Sequence, residues 1–506
     1  MSSWREILKK VIKALAILSS FSILTRALGF LFRIFLSRTI GAEGLGVYQI
    51  AFSVFMVLET IVSSGLPLVV SKQTASKHSL GDKKGEQGIV SAGLIIGAAT
   101  SLLLCVIVYA FKALFGVIFT DKRCLGILFI LMPTLVFSSV YSVLRGNLWG
   151  KRKYFWVSFT EFIEQIIRVA LTVLFLVVVD LALEKVFLAS IAYALSCMLS
   201  SALVFLIYIK GGGKFGSPKG QFGPILKSSS PITLVRVIAS LITPFIAIII
   251  PLRLASIGYT NEQAVALFGI AIGMTFPLLY IPSTVMGALS MTLIPNISSA
   301  VTTEKYGEVK SHINFSIKFA YFISFLFISL YMALGEHIGV FFYNNLESGV
   351  FLVSSSLLVL PICLSGVTVS CLNALDMETK TFINYAVGAV LLTFSITILP
   401  SLVGIMSLVW GMGLCLGSAS LLNIFMIGKK MKDNFFNMGY LSLSALSALP
   451  AFLMTKWSFG LLPNSLPLFF GLAISCTIGA LFYFACGLVF GLYDLSFLKL
   501  KKKKSF

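Results

Sequence analysis

Long apolar stretches, separated by short polar and often basic connections, run through almost the whole chain. Fourteen of them have about the 20 residues that a helix needs to cross the hydrocarbon core of a bilayer. The first seven lie near 14–36, 47–70, 88–111, 124–144, 158–180, 186–208 and 231–252. The others lie near 264–290, 313–334, 349–371, 383–403, 406–427, 439–456 and 465–490. The pattern predicts an all-α polytopic membrane protein with about fourteen transmembrane helices.

Lysine and arginine distinguish the two sides of the predicted membrane. With the N-terminus placed in the cytoplasm, the inside segments hold 28 of the 39 Lys and Arg residues, the outside loops hold 7, and 4 lie within predicted helices. Because cytoplasmic loops carry an excess of these residues, both termini are predicted to be cytoplasmic. The net charge of +20 has the same origin, so it does not indicate nucleic-acid binding.

The longest polar connection indicates two halves. It covers 210–230, is rich in Gly, Ser and Lys, and predicts a cytoplasmic linker. The helices on either side of it show weak internal similarity, which favours two lobes related by an axis along the membrane normal. The predicted parts are an N-terminal six-helix lobe over 1–209, a C-terminal six-helix lobe over 231–432, and two extra helices with a basic tail over 433–506.

Arginines inside apolar segments are the first candidates for function. Arg26 and Arg33 are seven residues apart, so they project from one face of the first helix, roughly 10 Å apart. Arg236 lies in the seventh predicted helix with no acid nearby in sequence. An arginine at the bilayer centre costs about 2.5–3.5 kcal/mol, so its face must border protein or a wet cavity. Either neighbouring helices satisfy these groups, or they form a site for an anion that crosses the membrane.

Acidic residues inside the predicted helices form a second set of candidates. The fifth helix carries Glu161, Glu164 and Arg168, and the four-residue step from Glu164 to Arg168 suits an ion pair. Glu59 in the second helix suits a proton carrier, or a partner for Arg33 or Arg168. We interpret Glu59, Glu161, Glu164 and Arg168 as cavity or coupling residues, with a proton or sodium as the coupling ion. Purely structural pairing is the alternative.

Enzyme chemistry has little support in the sequence. The three histidines lack metal-ligand spacing, and no nucleophile motif or extramembrane catalytic domain is present. The eight cysteines contain no CxxC pair and are interpreted as small core residues. We therefore predict a protein that is not an enzyme, with no cofactor and no metal.

Five motifs occur in order in the first third of the chain. They are RALGFLFRIFLSRTIGAEGLGVYQ (26–49), GLPLVVSK (65–72), FTDKR (119–123), SVLRGNLWGKRKY (142–154) and FIEQIIRV (162–169). In this arrangement the chain resembles the family of stage V sporulation protein B. Its members are polysaccharide-biosynthesis-type exporters, in the same MOP superfamily as the lipid II flippases and the multidrug and toxin extruders.

The resemblance implies a fourteen-helix, two-lobed flippase of the cell membrane that works by alternating access. The implied cargo is an undecaprenyl-pyrophosphate-linked sugar, such as a peptidoglycan or spore cortex precursor. By similarity to the lipid II flippases, arginines of the first helix contact the cargo, which here are Arg26 and Arg33. Arg145 of the LRG motif is typical of the family and is placed at the cytoplasmic mouth. We expect Arg236 to bind the cargo with them.

Two other functions stay open at the level of sequence. One is a cation-coupled multidrug exporter of the same superfamily, in which Glu59 or Glu161 is the titrating acid. The other is a non-transporting membrane scaffold for envelope synthesis. The expected partners are a lipid-linked anionic saccharide, membrane lipids and a coupling ion, without nucleic acid, and the chain is expected to be a monomer.

Overall fold

The structure is a computed structural model that describes residues 2–179, 182–463 and 465–492. These residues form helices joined by short turns, and no strand occurs among them. The prediction of an all-α chain is therefore confirmed. By the contacts within the chain, it divides into two compact units, which we call unit 1 (Met1–Gly269) and unit 2 (Ile270–Phe506).

In unit 1, most helices pack around the long first helix. Its described α-helices are α1 (Ser2–Ser63), α2 (Leu66–Ser79), α3 (Lys83–Ala110), α4 (Lys112–Ile118), α5 (Arg123–Leu131), α6 (Thr134–Gly150), α7 (Tyr154–Val173), α8 (Lys185–Lys210), α9 (Phe222–Ser240), α10 (Ile242–Ser256) and α11 (Asn261–Phe268). A π-helical segment, Leu174–Val178, continues α7. Helix α1 contacts each of α5 to α11, and α2 packs between α3 and α6. Fully buried Val70, Val90 and Leu144 form part of the apolar core of this unit.

Unit 2 is arranged around α14, a helix of 38 residues. Its described α-helices are α12 (Phe276–Leu279), α13 (Ile281–Thr302), α14 (Tyr306–Tyr343), α15 (Leu346–Ser355), α16 (Val359–Ala374), α17 (Glu378–Ile398), α18 (Pro400–Val403), α19 (Met406–Met431), α20 (Met438–Gly460) and α21 (Leu468–Val489). A π-helical segment, Gly269–Thr275, connects α11 to α12, and a 3₁₀ turn, Ser356–Leu358, connects α15 to α16. Helix α14 contacts α13, α15, α16, α20 and α21.

The first two predicted spans are continuous in the structure except for a break at Gly41. This residue has φ 72° and ψ −179°, whereas the rest of α1 is helical. A positive φ is readily adopted by glycine because it has no Cβ. The polar stretch predicted to connect the two spans is thus mostly helical, with the change of direction confined to one residue.

Twelve helices in the described ranges are long and apolar enough to cross a membrane, or thirteen if the bent pair α5 and α6 counts as one span. The prediction of about fourteen differs for three reasons. The first two predicted spans fall in one run, Ser20–Ser79, and the eighth is divided between Asn261–Leu279 and Ile281–Thr302. Helix α7 is not among the twelve because it carries three charged residues. Each of the fourteen predicted spans nevertheless overlaps a described helix.

Unit 1 extends beyond the predicted N-terminal lobe. Helices α9 and α10, which cover the seventh predicted span, belong to unit 1 because α9 contacts α1, α2 and α3. The non-helical part of the predicted linker is short, from 211 to 221, because α9 begins at Phe222. It is held on α3, where the Gly216 amide donates to the Ser91 hydroxyl at 3.1 Å. Residues 493–506, which include the predicted basic tail, lie outside the described residues.

Candidate functional site

A cavity of about 380 Å³ lies inside unit 1, between α1, α2, α6, α7 and α8. We call it the charged cavity because its lining contains three carboxylates and two guanidinium groups. These belong to Glu59, Arg145, Glu161, Glu164 and Arg168. All four residues predicted to be cavity or coupling residues are thus brought together, and Arg145 joins them from the predicted cargo-binding set.

Helices α1 and α2 supply one wall of the charged cavity. Glu59 lies on the last turns of α1, shortly before the helix gives way to α2. Its Oε1 accepts a hydrogen bond of 2.5 Å from the Ser138 hydroxyl of α6. Ser138 is therefore a hydrogen-bond partner of Glu59. The short distance is typical of a hydroxyl that donates to a carboxylate.

A polar stripe on α6 forms the second wall. Ser138, Tyr141, Ser142 and Arg145 line the cavity at helical steps of three and four. The next residue, Gly146, lies so close to α2 that a Cβ there would be 2.7 Å from the Pro67 carbonyl oxygen. Only the absence of a side chain allows α6 to approach α2 so closely at this point. The spacing of this stripe is visible in the sequence, but of its four residues only Arg145 was predicted to belong to the site.

Helix α7 carries the more buried of the two ion pairs that line the charged cavity. Glu164 pairs with Arg168 one turn away, as predicted from their spacing. The Arg168 guanidinium also donates from Nη1 to the Gln165 side chain at 3.1 Å and lies 4.8 Å from the centroid of the Tyr193 ring. The side chains of Glu164 and Arg168 are only 22% and 20% exposed. This pair is anchored by neighbours on two helices.

The second ion pair joins two helices. Arg145 of α6 donates from Nη2 to Oε2 of Glu161 on α7. Here the side chains are 29% and 50% exposed, so the carboxylate is far more accessible to solvent than that of Glu164. The sequence did not reveal this contact because the two residues belong to different helices. Only the packing of α6 against α7 brings them together.

Each of the two guanidinium groups has one buried N–H donor that is not used in a hydrogen bond among the described residues. The Nε atoms of Arg145 and Arg168 are buried and have no hydrogen-bond acceptor in the described part of the chain. The hydroxyls of Thr25 and Ser200, which also line the cavity, are buried and unpaired in the same sense. A buried donor without an acceptor typically costs about 1–3 kcal/mol. The charged cavity is therefore suited to a guest that is rich in hydrogen-bond acceptors.

The other predicted cargo-binding arginines belong to unit 1 but do not line this cavity. Arg26 is exposed on α1, next to Thr25, which does line it. Arg33 is partly buried and lies within electrostatic range of Tyr48, as Arg168 does. Arg236 of α9 donates from Nη1 to the Ser64 carbonyl at 3.2 Å, beside the lining residue Ser63. The predicted set thus contains one cavity residue and three in its surroundings.

The FTDKR motif forms a separate polar cluster at the start of α5. The Arg123 guanidinium binds Asp121 and Glu43 and contacts Glu184 at 3.4 Å, so it links α1, the turn before α5 and the start of α8. Burial raises the pKa of Asp121, but hydrogen bonds from the Arg123 side chain and amide outweigh burial. The net result is a pKa below the ordinary value for aspartate.

Unit 2 contains a cavity of similar size and different chemistry. It has a volume of about 370 Å³ and is lined by residues around α13 and α16, none of them charged. We call it the neutral cavity. Two of its hydroxyls, those of Ser283 and Ser370, donate to carbonyls of nearby backbone at 2.7 and 2.8 Å. Both donors are satisfied within the unit, unlike the Thr25 and Ser200 hydroxyls of the charged cavity, which have no partner among the described residues.

Known proteins resemble this chain in sequence and in fold. The family model described as "Polysaccharide biosynthesis protein" matches residues 11–301. Stage V sporulation protein B of Bacillus subtilis (strain 168) is 27% identical over 449 residues, which cover 83% of this chain and 85% of that protein.

Two solved structures share the fold. The lipid II flippase MurJ in an inward closed conformation has a TM-score of 0.72 at 17% identity, covering 94% of this chain and 99% of that one. An inward-facing multidrug resistance MATE family transporter of the MOP superfamily has a TM-score of 0.67 at 14% identity, covering 83% and 98%. The predicted MATE-like architecture is confirmed. Because the family model matches more than half of its length, the chain belongs to the family described as polysaccharide biosynthesis protein.

Proposed function

We propose that the protein moves an undecaprenyl-pyrophosphate-linked saccharide across the cytoplasmic membrane by alternating access. The saccharide would be a peptidoglycan or spore cortex precursor. The proposal is supported by the similarity to a protein named for stage V of sporulation and by the fold shared with a lipid II flippase. Such a cargo presents a doubly charged, acceptor-rich pyrophosphate between a sugar and a lipid.

The main support for the proposal is the pair of buried arginine N–H donors at the charged cavity. Arg145 and Arg168 each have a buried Nε that lacks an acceptor among the described residues. A phosphate group accepts hydrogen bonds from two guanidinium nitrogens at once, which a point charge such as ammonium cannot reproduce. The pyrophosphate would thus satisfy donors that have no acceptor among the described residues.

The remaining predicted residues receive roles around this cavity. We propose that Arg26, Arg33 and Arg236 attract the head group or transfer it to the cavity. Arg26 and Arg236 lie beside residues that line the cavity, and Arg33 lies within electrostatic range of Tyr48, as the lining residue Arg168 does. Glu59 is the proposed site for a coupling proton or sodium ion. We also place both termini in the cytoplasm, because of the distribution of Lys and Arg, and expect a monomer.

A vesicle assay with matched arginine variants tests the proposal. Purified protein is reconstituted into vesicles that contain an undecaprenyl-pyrophosphate-linked saccharide, and its movement between leaflets is measured. We expect Arg145→Ala to slow the movement about 10-fold or more, the loss of one charge-assisted hydrogen bond. Arg253→Ala removes the same charge from an exposed position of α10 and is the control.

Two results would reject the proposal. One is movement by the Arg145→Ala variant at the wild-type rate. The other is a wild-type protein that inserts correctly and moves no lipid-linked saccharide, as a scaffold would.

A second candidate is a cation-coupled drug exporter. It is favoured by the excess of carboxylates in the charged cavity, where three face two guanidinium groups and give a formal charge of −1. Transport of a cationic dye by the same vesicles, abolished in Glu59→Gln and retained in Arg145→Ala, would support this candidate instead.

A further inference from the structure

We propose that the Glu161 carboxylate pairs with Arg145 in the charged cavity until a phosphate group of a ligand displaces the carboxylate. By competing for Arg145, Glu161 sets the affinity of the cavity for phosphate-bearing ligands. The inference rests on the proposed function and deepens it, because it assigns the phosphate subsite and the residue that controls entry to it.

The hydrogen bonds of Arg145 show what a phosphate would gain. Only Nη2 of its guanidinium donates to Glu161, while the buried Nε has no acceptor among the described residues. A phosphate has three oxygens and can bind a guanidinium with two parallel hydrogen bonds. It would therefore take over the Glu161 contact and also satisfy the Nε–H.

The charge of the cavity explains why an exchange is needed. With both ion pairs closed, Glu59, Glu161 and Glu164 leave the cavity with a formal charge of −1, which opposes the entry of an anion. If the Glu161 carboxylate turns away, the lining that remains in contact is neutral. A pyrophosphate can then bind Arg145 without facing an uncompensated carboxylate from that pair.

The surroundings of the two pairs decide which one opens. Glu161 is half exposed, so its carboxylate can turn into solvent with little loss of hydration. Glu164 is only 22% exposed, and its partner Arg168 is fixed by Gln165 and the Tyr193 ring. Breaking a buried pair leaves an uncompensated charge and is strongly unfavourable. The Arg145–Glu161 pair is therefore the exchangeable one, and Arg168–Glu164 is the fixed one.

A binding experiment with charge-neutral variants tests this inference. Inorganic pyrophosphate, and separately undecaprenyl pyrophosphate in detergent micelles, is titrated into the purified full-length protein, and the dissociation constant is measured by calorimetry. We expect Glu161→Gln to bind both probes about 10-fold more tightly than the wild type. Arg145→Gln should lose at least as much affinity. A merely structural role of Glu161 would not raise affinity.

The controls separate competition from general effects of charge. Glu308→Gln removes a carboxylate from an exposed pair with Lys305 in unit 2 and should leave both dissociation constants unchanged. Glu161→Asp keeps the charge on a shorter side chain and should give a smaller gain, and it decides the question if Glu161→Gln does not fold. A gain confined to the lipid-linked probe assigns the subsite to a lipid head group, and a gain for both assigns it to phosphate in general.

Unchanged or weaker binding of both probes by Glu161→Gln and Glu161→Asp would overturn the inference. The outcome is independent of the vesicle assay. If the wild type moves no lipid-linked saccharide yet Glu161→Gln binds pyrophosphate more tightly, the proposed function fails and the phosphate subsite stands. If transport occurs without any response of binding to Glu161, only the subsite fails.

Discussion

The charged cavity of unit 1 and the neutral cavity of unit 2 have nearly the same volume, about 380 and 370 Å³, but opposite chemistry. In the first, two ion pairs line the space, and the buried Nε atoms of Arg145 and Arg168 have no acceptor among the described residues. In the second, Ser283 and Ser370 donate to nearby backbone carbonyls, and no charged residue contributes to the lining.

The difference in lining between the two cavities shows that the volume of a cavity does not by itself indicate which ligand it binds. Hydroxyls that are satisfied by nearby backbone offer little to a ligand, whereas guanidinium groups with a free buried donor do. We infer that the charged cavity recognises charge and that the neutral cavity accommodates uncharged groups. The following changes test this contrast, beginning with the largest expected effect.

Removing the arginine of the fixed pair should have the largest effect. Arg168→Ala leaves Glu164 without its partner in a mostly buried position, which should lower the free energy of unfolding by about 3–5 kcal/mol. Urea unfolding in detergent micelles, followed by tryptophan fluorescence, measures the change. Arg253→Ala, at an exposed position, serves as the control. A loss as small as that of the control would show that the pair is not structural.

Adding a charge to the neutral cavity should be the next most costly change. Ser370 is buried and its hydroxyl donates to the Gly366 carbonyl, so Ser370→Asp places a carboxylate where no described cation lines the cavity. We expect a loss of about 3 kcal/mol, because an unpaired buried charge costs more than a neutral group. The Ser370→Asn side chain has nearly the same shape as that of Ser370→Asp but no charge, and it should lower the free energy of unfolding by about 1 kcal/mol. Equal losses for the two variants would contradict the contrast between the cavities.

A glycine in each unit provides a steric comparison. Gly146→Ala pushes a Cβ against the Pro67 carbonyl and should cost about 2 kcal/mol through overpacking, and it should also displace Arg145. Gly366→Ala in the neutral cavity meets no atom within 4 Å and should be neutral, or stabilising by up to about 1 kcal/mol. Thermal unfolding of both variants checks the prediction. Similar behaviour of the two would show that the close contact between α6 and α2 is not a constraint.

The smallest effect concerns pH and the charges of unit 1 outside its cavity. The pKa of Asp121 is lower in the folded protein than its ordinary value, so its ion pair with Arg123 stabilises the fold fully above about pH 4. The contribution is lost as the pH falls through the lowered pKa, because the unfolded chain then binds the proton more readily. We expect no more than about 1 kcal/mol after solvent screening.

The Asp121→Asn variant isolates this contribution. Unfolding of the variant and the wild type is compared between pH 3 and pH 7, and the difference between them should shrink towards acid pH. A difference that stays constant over this range would show that Asp121 does not titrate with the fold.

The sequence determined the class of fold and part of the site. Apolar stretches of spanning length predict helices wherever the backbone must satisfy its own hydrogen bonds in lipid, and each predicted span overlaps a described helix. The pairing of Glu164 with Arg168 also followed from sequence, because residues four apart on a helix are neighbours. The family motifs predicted the architecture that the similar structures confirm.

Only the tertiary structure decided which charges meet. Arg145 and Glu161 lie on different helices, and Ser138 reaches Glu59 across the cavity, so no periodicity within one helix could pair them. The structure also placed Arg145, rather than Arg26, Arg33 or Arg236, in the lining of the charged cavity. The physical reason is that helical periodicity fixes which face of a helix a side chain occupies. Which faces of two helices contact each other depends on how the helices pack. An example is the close contact between Gly146 of α6 and Pro67 of α2.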